Sequence, residues 1–190
     1  MTNISRIENH LVEASRILNS AVSIAPKISE IVDVAVKCIK NGGTIFWCGN
    51  GGSAADSQHL AAELIGRYKI ERKAISTIAL TTDTSILTAI SNDFGFEHVF
   101  SRQLEGLARS GDVLIALSTS GASKSILNAI EKARELKVFS VLMTSTKYSG
   151  EQGDHVLKVE SIETEQIQHA HIAIGHIICE LIEMNCAKST

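Results

Sequence analysis

The amino-acid sequence predicts a three-layer α/β domain, in which a five-stranded parallel sheet carries helices on both faces, as in flavodoxin-like and Rossmann-like proteins. Short apolar runs of strand length alternate along the chain with segments whose apolar residues recur at helical spacing. Two of these runs end in turns rich in glycine or serine. The 190 residues, 44% of them hydrophobic, suit one domain with a sizeable core. We therefore expect a single domain over residues 1–190.

Two helices are predicted before the first strand. Apolar residues repeat at helical spacing from Asn3 to Ser20. Pro26 suits the first turn of a second helix, which should end at Gly42 and Gly43. These helices need a surface to cover, either their own sheet or another subunit. We expect residues 1–41 to serve in packing or oligomerisation.

Residues 44–190 contain the alternating pattern that predicts the α/β core. Such alternation indicates a parallel sheet, and ligands of such sheets bind beyond the carboxyl ends of the strands. The predicted strands are Thr44–Cys48, Ala74–Leu80, Val113–Leu117, Val138–Thr144 and His155–Glu160. The helices predicted between and after them are Ala54–Tyr68, Thr84–Asn92 with Glu97–Leu107, Lys124–Lys137 and Thr164–Asn185.

Composition excludes several classes of protein. A net charge of −3 and an isoelectric point near 6.2 argue against a nucleic-acid or membrane-surface binder. No apolar run approaches the roughly 20 residues that span a bilayer, and Glu8 and Glu13 in the first helical pattern argue against a signal peptide. The four cysteines form no C-x-x-C pair and lie in apolar patterns, which favours reduced core thiols in a cytoplasmic protein.

Two turns at the predicted ligand edge favour an anion site. Residues Gly49–Ser53 follow the first strand and residues Ser118–Ser123 follow the third, and each turn leads into a helix. Each offers free backbone N–H groups, a positive helix end and small hydroxyls. The alternative is that glycines form tight turns and serines cap helices. Two such turns at one sheet edge favour the anion site.

The first turn also fits the pattern G-x-G-x-x-A of dinucleotide-binding folds, with Gly49, Gly51 and Ala54. In those folds an acidic residue about 20 positions further on holds the ribose. Glu71 precedes the second strand and Asp83 comes too late. We therefore predict no nucleotide cofactor.

The helix after the first turn carries an imidazole and a carboxylate on one face. His59 and Glu63 are four residues apart, and an exposed pair of this kind is a surface ion pair worth roughly a few tenths of a kcal/mol. The apolar neighbours of this helix instead favour a desolvated carboxylate that carries protons near neutral pH.

In the last helix, Gln168 and His176 share an otherwise apolar face, whereas His169 and His171 point elsewhere and should be exposed. A histidine on an apolar face is more often a core residue. His176 gains a functional meaning only if it meets Glu63.

Four segments resemble the phosphoheptose isomerases, which are sedoheptulose 7-phosphate isomerases of the sugar isomerase (SIS) domain class. They are CGNGGSAADSQHLAAELIGRY (Cys48–Tyr68), SNDFGF (Ser91–Phe96), LSTSGAS (Leu117–Ser123) and IQHAHIAIGH (Ile167–His176). The resemblance covers nearly the whole chain. It implies a single SIS domain that converts D-sedoheptulose 7-phosphate to D-glycero-D-manno-heptose 7-phosphate through an enediol. This is the first step towards activated heptose for bacterial surface polysaccharides, lipopolysaccharide or capsule. It also implies a cytoplasmic homotetramer with active sites at subunit contacts.

The resemblance also implies roles for individual residues. Glu63 would be the carbon base and His176 the partner acid. Gln168 and Glu63 would also contact substrate. The phosphate would be held by Ser53, Ser118, Thr119, Ser120 and Ser123, and the sugar lined by Asn50, Gly51, Gly52, Asn92 and Asp93. A zinc site seen in some members matches His59, Glu63, Gln168 and His176.

Some features depart from the family pattern. Gln166, His169 and Ala122 stand where other residue types are common in the family. Glutamine is an unusual zinc ligand, and Gln168 and His176 are separated by about 12 Å of helical rise.

Two alternative functions compete with the isomerase. A relative in the same branch binds the replication initiator DnaA and lacks proton-carrying residues at the positions of Glu63 and His176; their retention here favours an enzyme. The second alternative is a different SIS enzyme or a sugar-phosphate sensor. Known sensors of this class usually carry an added DNA-binding module, for which 190 residues leave no room.

Overall fold

The computed structural model of this protein describes residues 1–187 and contains one parallel five-stranded sheet with the strand order β2-β1-β3-β4-β5. Its strands are β1 (Ile45–Gly49), β2 (Thr77–Ala79), β3 (Val113–Leu117), β4 (Phe139–Ser145) and β5 (His155–Val159). The helices are α1 (Asn3–Ser20), α2 (Ala25–Lys40), α3 (Gly52–Ile65), α4 (Thr84–Phe94), α5 (Ser101–Leu107), α6 (Lys124–Leu136) and α7 (Thr164–Ala187), and Ala21–Ile24 and Phe96–His98 are short 3₁₀ helices. The predicted fold class is confirmed.

Two apolar cores lie on opposite faces of the sheet, because successive side chains of a strand point to opposite sides. Ile45 and Trp47 of β1 face the core that is covered by α2, α3 and α7. Phe46 and Cys48 of the same strand face the core that α5 and α6 cover. Every residue of β1 and β3 is buried, as expected for central parallel strands with helices on both faces.

Three predicted elements differ most from their bounds in the structure, and most of the others differ by one or two residues at an end. Strand β2 is limited to Thr77–Ala79 instead of Ala74–Leu80, since it is an edge strand that pairs only with β1. Helix α3 ends at Ile65 rather than at Tyr68, since Gly66 is its C-cap and the carboxylate of Glu183 binds the backbone N–H of Tyr68 and of the next two residues. The predicted helix Glu97–Leu107 is divided into a 3₁₀ helix and α5.

The two N-terminal helices differ in what they cover. Helix α2 buries five apolar residues against the sheet and α7. Helix α1 buries only Ile17, while Ile4, Ile7, Leu11 and Val12 are each at least 60% exposed. Across residues 1–187, none of the helices combines the length and the apolar character needed to cross a membrane.

Candidate active site

The glycine turn after β1 is shaped for a tight entry into α3. Gly51 has a φ of +56°, which favours glycine because it has no Cβ. The backbone N–H of Ser53 donates to the carbonyl of Asn50 over 3.0 Å, and Ser53 itself is buried. The turn therefore places the first N–H groups of α3 at the carboxyl end of β1.

Asn50 joins this turn to the serine turn after β3. Its Nδ2 donates to Ser123 Oγ over 2.9 Å and to Ser125 Oγ over 3.0 Å. Its Oδ1 is buried and accepts no hydrogen bond from any described residue. The two predicted anion-binding turns thus meet at one sheet edge.

The serine turn after β3 has one buried, hydrogen-bonded serine and one exposed serine. Ser118 is buried, and its Oγ accepts a hydrogen bond from the backbone N–H of Gly121. Ser120 is exposed and accepts from the N–H of Ala122 over 3.2 Å. Gly121 has a φ of +67°, and a Cβ there would collide with the ring of Tyr148. The outer hydroxyl of Ser120 is accessible to a ligand.

Helices α3 and α7 bring the imidazole and carboxylate groups together. His59 Nε2 lies 3.1 Å from Glu63 Oε1 and 3.3 Å from His176 Nε2. One ligand atom from each of the three residues lies within 4.8 Å of the others. Gly175 allows this approach, because a Cβ at that position would collide with Leu60 of α3. Glu63 and His176, 113 positions apart in sequence, therefore meet within one chain.

The donor set of this cluster suits a metal ion. Two imidazoles and one carboxylate are a ligand combination that zinc accepts, and a catalytic zinc keeps a fourth position open. The fourth predicted ligand, Gln168, lies near the start of α3, where a Cβ added to Gly52 would come within 2.5 Å of its Nε2. Three of the four predicted ligands thus converge, and Gln168 lies next to the glycine turn.

Asn92 and Asp93 lie apart from this cluster in their contacts. Both are exposed near the end of α4, and Asn92 Nδ2 donates to Asp93 Oδ1 over 2.8 Å. Asp93 lines a groove between α4 and α5 together with Ile86 and Arg102. Their predicted contact with the sugar stays a prediction.

Of the two neighbouring histidines predicted to be exposed, one is exposed and the other is buried. His169 is exposed as predicted. His171 is fully buried, and its Nε2 donates to the backbone carbonyl of Thr144 over 3.1 Å. The reason is that α7 contacts β4 as well as α1, α2 and α3, and its buried stripe consists of adjacent pairs, one of which is Ala170 with His171.

Sequence reasoning missed Asp56, which lies three residues before His59 on α3. Its Oδ2 is buried and has no hydrogen-bond partner among the described residues. Burial raises the pKa of Asp56, and the nearby His59, His176 and His169 oppose that rise. The spacing of three residues between Asp56 and His59 could have indicated that the two side chains are neighbours on α3.

Sequence reasoning also missed two contacts that join the segment after α3 to α7. The ring of Tyr68 stacks on the imidazole of His176, with centroids 5.5 Å apart and planes 21° apart. The buried carboxylate of Glu183 pairs with Arg72 over 3.2 Å. More than 100 residues separate Tyr68 from His176 and Arg72 from Glu183, so no local pattern announces these contacts.

The fold and the two turns at its sheet edge agree with a comparison against known families. The family model described as "SIS domain" matches residues 10–145 of this chain. Among curated relatives, the phosphoheptose isomerase of Akkermansia muciniphila is 48% identical over 93% of this chain and 95% of its own length. Phosphoheptose isomerase 1 of Campylobacter jejuni subsp. jejuni serotype O:2 is 49% identical over 95% of this chain and 98% of its own length.

Solved structures agree with these relatives. The phosphoheptose isomerase GmhA from Neisseria gonorrhoeae has a TM-score of 0.89 and 38% identity, with 96% of this chain and all of that chain covered. The enzyme from Francisella tularensis has a TM-score of 0.91 and 30% identity, with 97% and 100% covered. The chain belongs to the phosphoheptose isomerase family of SIS domain proteins. The predicted resemblance and enzyme class, an isomerase, are confirmed, and nothing in these similarities favours the DnaA-binding alternative.

Proposed function

We propose that this protein converts D-sedoheptulose 7-phosphate to D-glycero-D-manno-heptose 7-phosphate through an enediol. The carrying observation is the convergence of Glu63 and His176 on His59 within one chain. Isomerisation of a ketose to an aldose needs one group to move a carbon-bound proton and another to manage the oxygen-bound proton. The carboxylate of Glu63 and the imidazole of His176, which both lie within hydrogen-bond distance of His59, can supply these two functions.

The proton transfers can be assigned to these two side chains. Glu63 removes a proton from C1 of the ketose while His176 donates a proton to O2, which gives the enediol. His176 then takes the proton from O1, and Glu63 returns its proton to C2, which gives the aldose. Each positioned acid or base typically supplies about 10²–10⁴-fold in rate.

The two turns would hold the phosphate. The exposed hydroxyl of Ser120 can donate a hydrogen bond at this sheet edge, and the N-terminal end of α3 adds its positive dipole. The N–H groups of Ser53 and Ala54 already donate to the carbonyls of Asn50 and Gly51 over 3.0 Å. Of the predicted ligands, Thr119 and Ser120 are more exposed than Ser53 and Ser118. Because the phosphate is at the other end of a seven-carbon sugar from C1, its binding would contribute mainly to orientation.

Zinc fits the same cluster, with His59, Glu63 and His176 as ligands and Gln168 as the predicted fourth. When bound, zinc would polarise O1 and O2 of the sugar and stabilise the enediolate. The residues of this chain would still hold and move the protons. Turnover before and after chelation, with and without added zinc, tests this part of the proposal.

The exposed face of α1 supports assembly into a homo-oligomer, for which the family expectation is a cytoplasmic homotetramer of single SIS domains. Four exposed apolar residues on one helix are costly in water unless a second subunit covers them. Asn92 and Asp93 are exposed on α4, so the family expectation of active sites at subunit contacts would allow them to line the sugar of a neighbouring subunit. Sedimentation of the wild type and of Leu11→Glu tests this, and an unchanged mass would reject the role of α1.

Replacing the two proposed proton carriers tests the function directly. Glu63→Gln and His176→Asn should each lower kcat with sedoheptulose 7-phosphate by about 10²-fold or more, with folding retained. Glu160→Gln, which alters an exposed carboxylate outside the cluster, is the matched control. Normal turnover in Glu63→Gln would exclude Glu63 as the base. Absence of turnover in the wild type, together with retention on immobilised DnaA, would favour the alternative function.

A further inference from the structure

A buried ion pair fixes the loop that follows α3. Glu183 of α7 is fully buried, and its Oε1 accepts the backbone N–H of Tyr68 over 2.8 Å. Its Oε2 accepts the N–H of Lys69 over 2.7 Å and that of Ile70 over 2.9 Å. Burial by itself would raise the pKa of Glu183, but these N–H groups and the guanidinium of Arg72 outweigh it and lower the pKa. The carboxylate is therefore charged and bonded on both oxygens.

The partner of this carboxylate binds the end of α3. Arg72 Nη2 donates to the carbonyl of Glu63 over 3.0 Å, and Nη1 donates to the carbonyls of Leu64 over 2.8 Å and Gly66 over 3.2 Å. Carbonyls in the last turn of a helix have no intrahelical partner. The pair formed by Glu183 and Arg72 thus ties α7 to the turn of α3 that carries Glu63.

Glu183 binds only the backbone N–H of Tyr68, so the phenol ring of that residue can make other contacts. The phenol ring stacks on the imidazole of His176. Lys69 Nζ lies 5.2 Å from the centroid of the same ring and pairs with Glu180 over 2.9 Å. The ring of Tyr68 is therefore held by its own backbone and by its neighbour.

We infer that Tyr68 is a positioning residue for His176, an inference that rests on the proposed function. The half-buried imidazole would otherwise rotate about its Cβ–Cγ bond and carry Nε2 away from His59. A stacked ring restricts that rotation. Aromatic pairs contribute roughly 0.5–1.5 kcal/mol beyond burial, which corresponds to about two- to tenfold in a rate.

Two substitutions separate the aromatic ring from its hydroxyl. Tyr68→Phe keeps the ring and should keep the wild-type kcat. Tyr68→Leu removes the ring but not the backbone N–H, so it should lower kcat by about two- to tenfold with little change in KM. The thermal midpoint should be unchanged in Tyr68→Phe and fall by no more than about 1–6 °C in Tyr68→Leu, because the ion pair of Glu183 and Arg72 is retained in both variants.

A second readout does not depend on turnover or on metal. In the metal-free protein, the nuclear Overhauser effect between ring protons of His59 and His176 should persist in Tyr68→Phe and weaken in Tyr68→Leu. If Tyr68→Leu keeps both this effect and the wild-type kcat, or if Tyr68→Phe loses as much as Tyr68→Leu, the inference is refuted. If the wild type turns over no sedoheptulose 7-phosphate, the proposed function fails, and the magnetic-resonance result still decides whether Tyr68 orients His176.

Discussion

Replacing His171 with glutamine should change how the stability of this protein depends on pH. His171 is fully buried between α7 and β4, and burial lowers its pKa from 6.5 to about 4, although its hydrogen bond to the carbonyl of Thr144 acts in the opposite direction. The native imidazole is therefore neutral where an unfolded one is charged. Glutamine cannot titrate, but its amide can still donate to the carbonyl of Thr144.

The sign and size of the effect follow from the two pKa values. Between pH 6.5 and about 4 the unfolded chain binds one more proton at His171 than the native protein does. Stability therefore rises with pH across this window and is lost as pH falls through it. A shift of one pKa unit corresponds to about 1.4 kcal/mol, so the full effect is about 3 kcal/mol, of which about 2 kcal/mol falls between about pH 7.5 and pH 5.

Urea denaturation at these two pH values measures the effect. Trp47 is the single tryptophan and is fully buried, so its fluorescence reports unfolding. The wild type should lose about 2 kcal/mol more than His171→Gln does on going from pH 7.5 to pH 5. His169→Gln, which alters an exposed histidine two residues earlier on α7, should behave like the wild type. Equal losses in the wild type and His171→Gln would show that burial does not hold His171 neutral.

Three further substitutions test other contacts. Glu183→Gln should lower the free energy of unfolding by about 3–5 kcal/mol, because Arg72 stays buried without its partner; a loss below about 1 kcal/mol in urea denaturation would contradict this. Gly52→Ala should displace the flexible amide of Gln168 and lower turnover without unfolding α3, and a crystal structure with Gln168 unmoved would disprove it. Ser120→Ala should raise KM more than it lowers kcat in steady-state kinetics, whereas the opposite pattern would remove Ser120 from phosphate binding.

The sequence predicts correctly the bounds of those helices and strands that are determined by residues within the segment itself. The bounds predicted for α1 and β3 agree with the structure, since helical periodicity and a fully apolar run are both contained in the segment itself. Helix α3 was predicted to continue to Tyr68, because its helical pattern continues further than its hydrogen bonds do. Gly66, the C-cap directly after Ile65, is a local signal for this end, whereas the loop beyond it is held by Glu183, more than 100 residues away. No property of the segment after Ile65 reveals that carboxylate.

The same limit applies to the last helix. A single apolar face was assumed for α7, and on that assumption His171 points to solvent. The helix packs on α1, α2 and α3 and on β4, and its buried residues recur as adjacent pairs four positions apart, for example Ala170 with His171 and Ile174 with Gly175. The buried stripe thus includes His171, whereas Gln168 and His176 lie at its edge and are half-buried. Periodicity identifies an apolar stripe but does not fix which of its edges is covered.

In the candidate site, the contacts within one helix could be predicted from the sequence, whereas the contact between two helices could not. The pairing of His59 with Glu63 follows from a spacing of four on one helix. Their meeting with His176 requires α3 and α7 to approach closely, and Gly175, directly before His176, is the residue that permits it, since any side chain there would collide with Leu60. A glycine beside a histidine on a long apolar helix is thus a physical sign of close helix packing at that level. It indicates that His176 faces another helix, but which helix it meets is decided by the packing of α7 on the sheet.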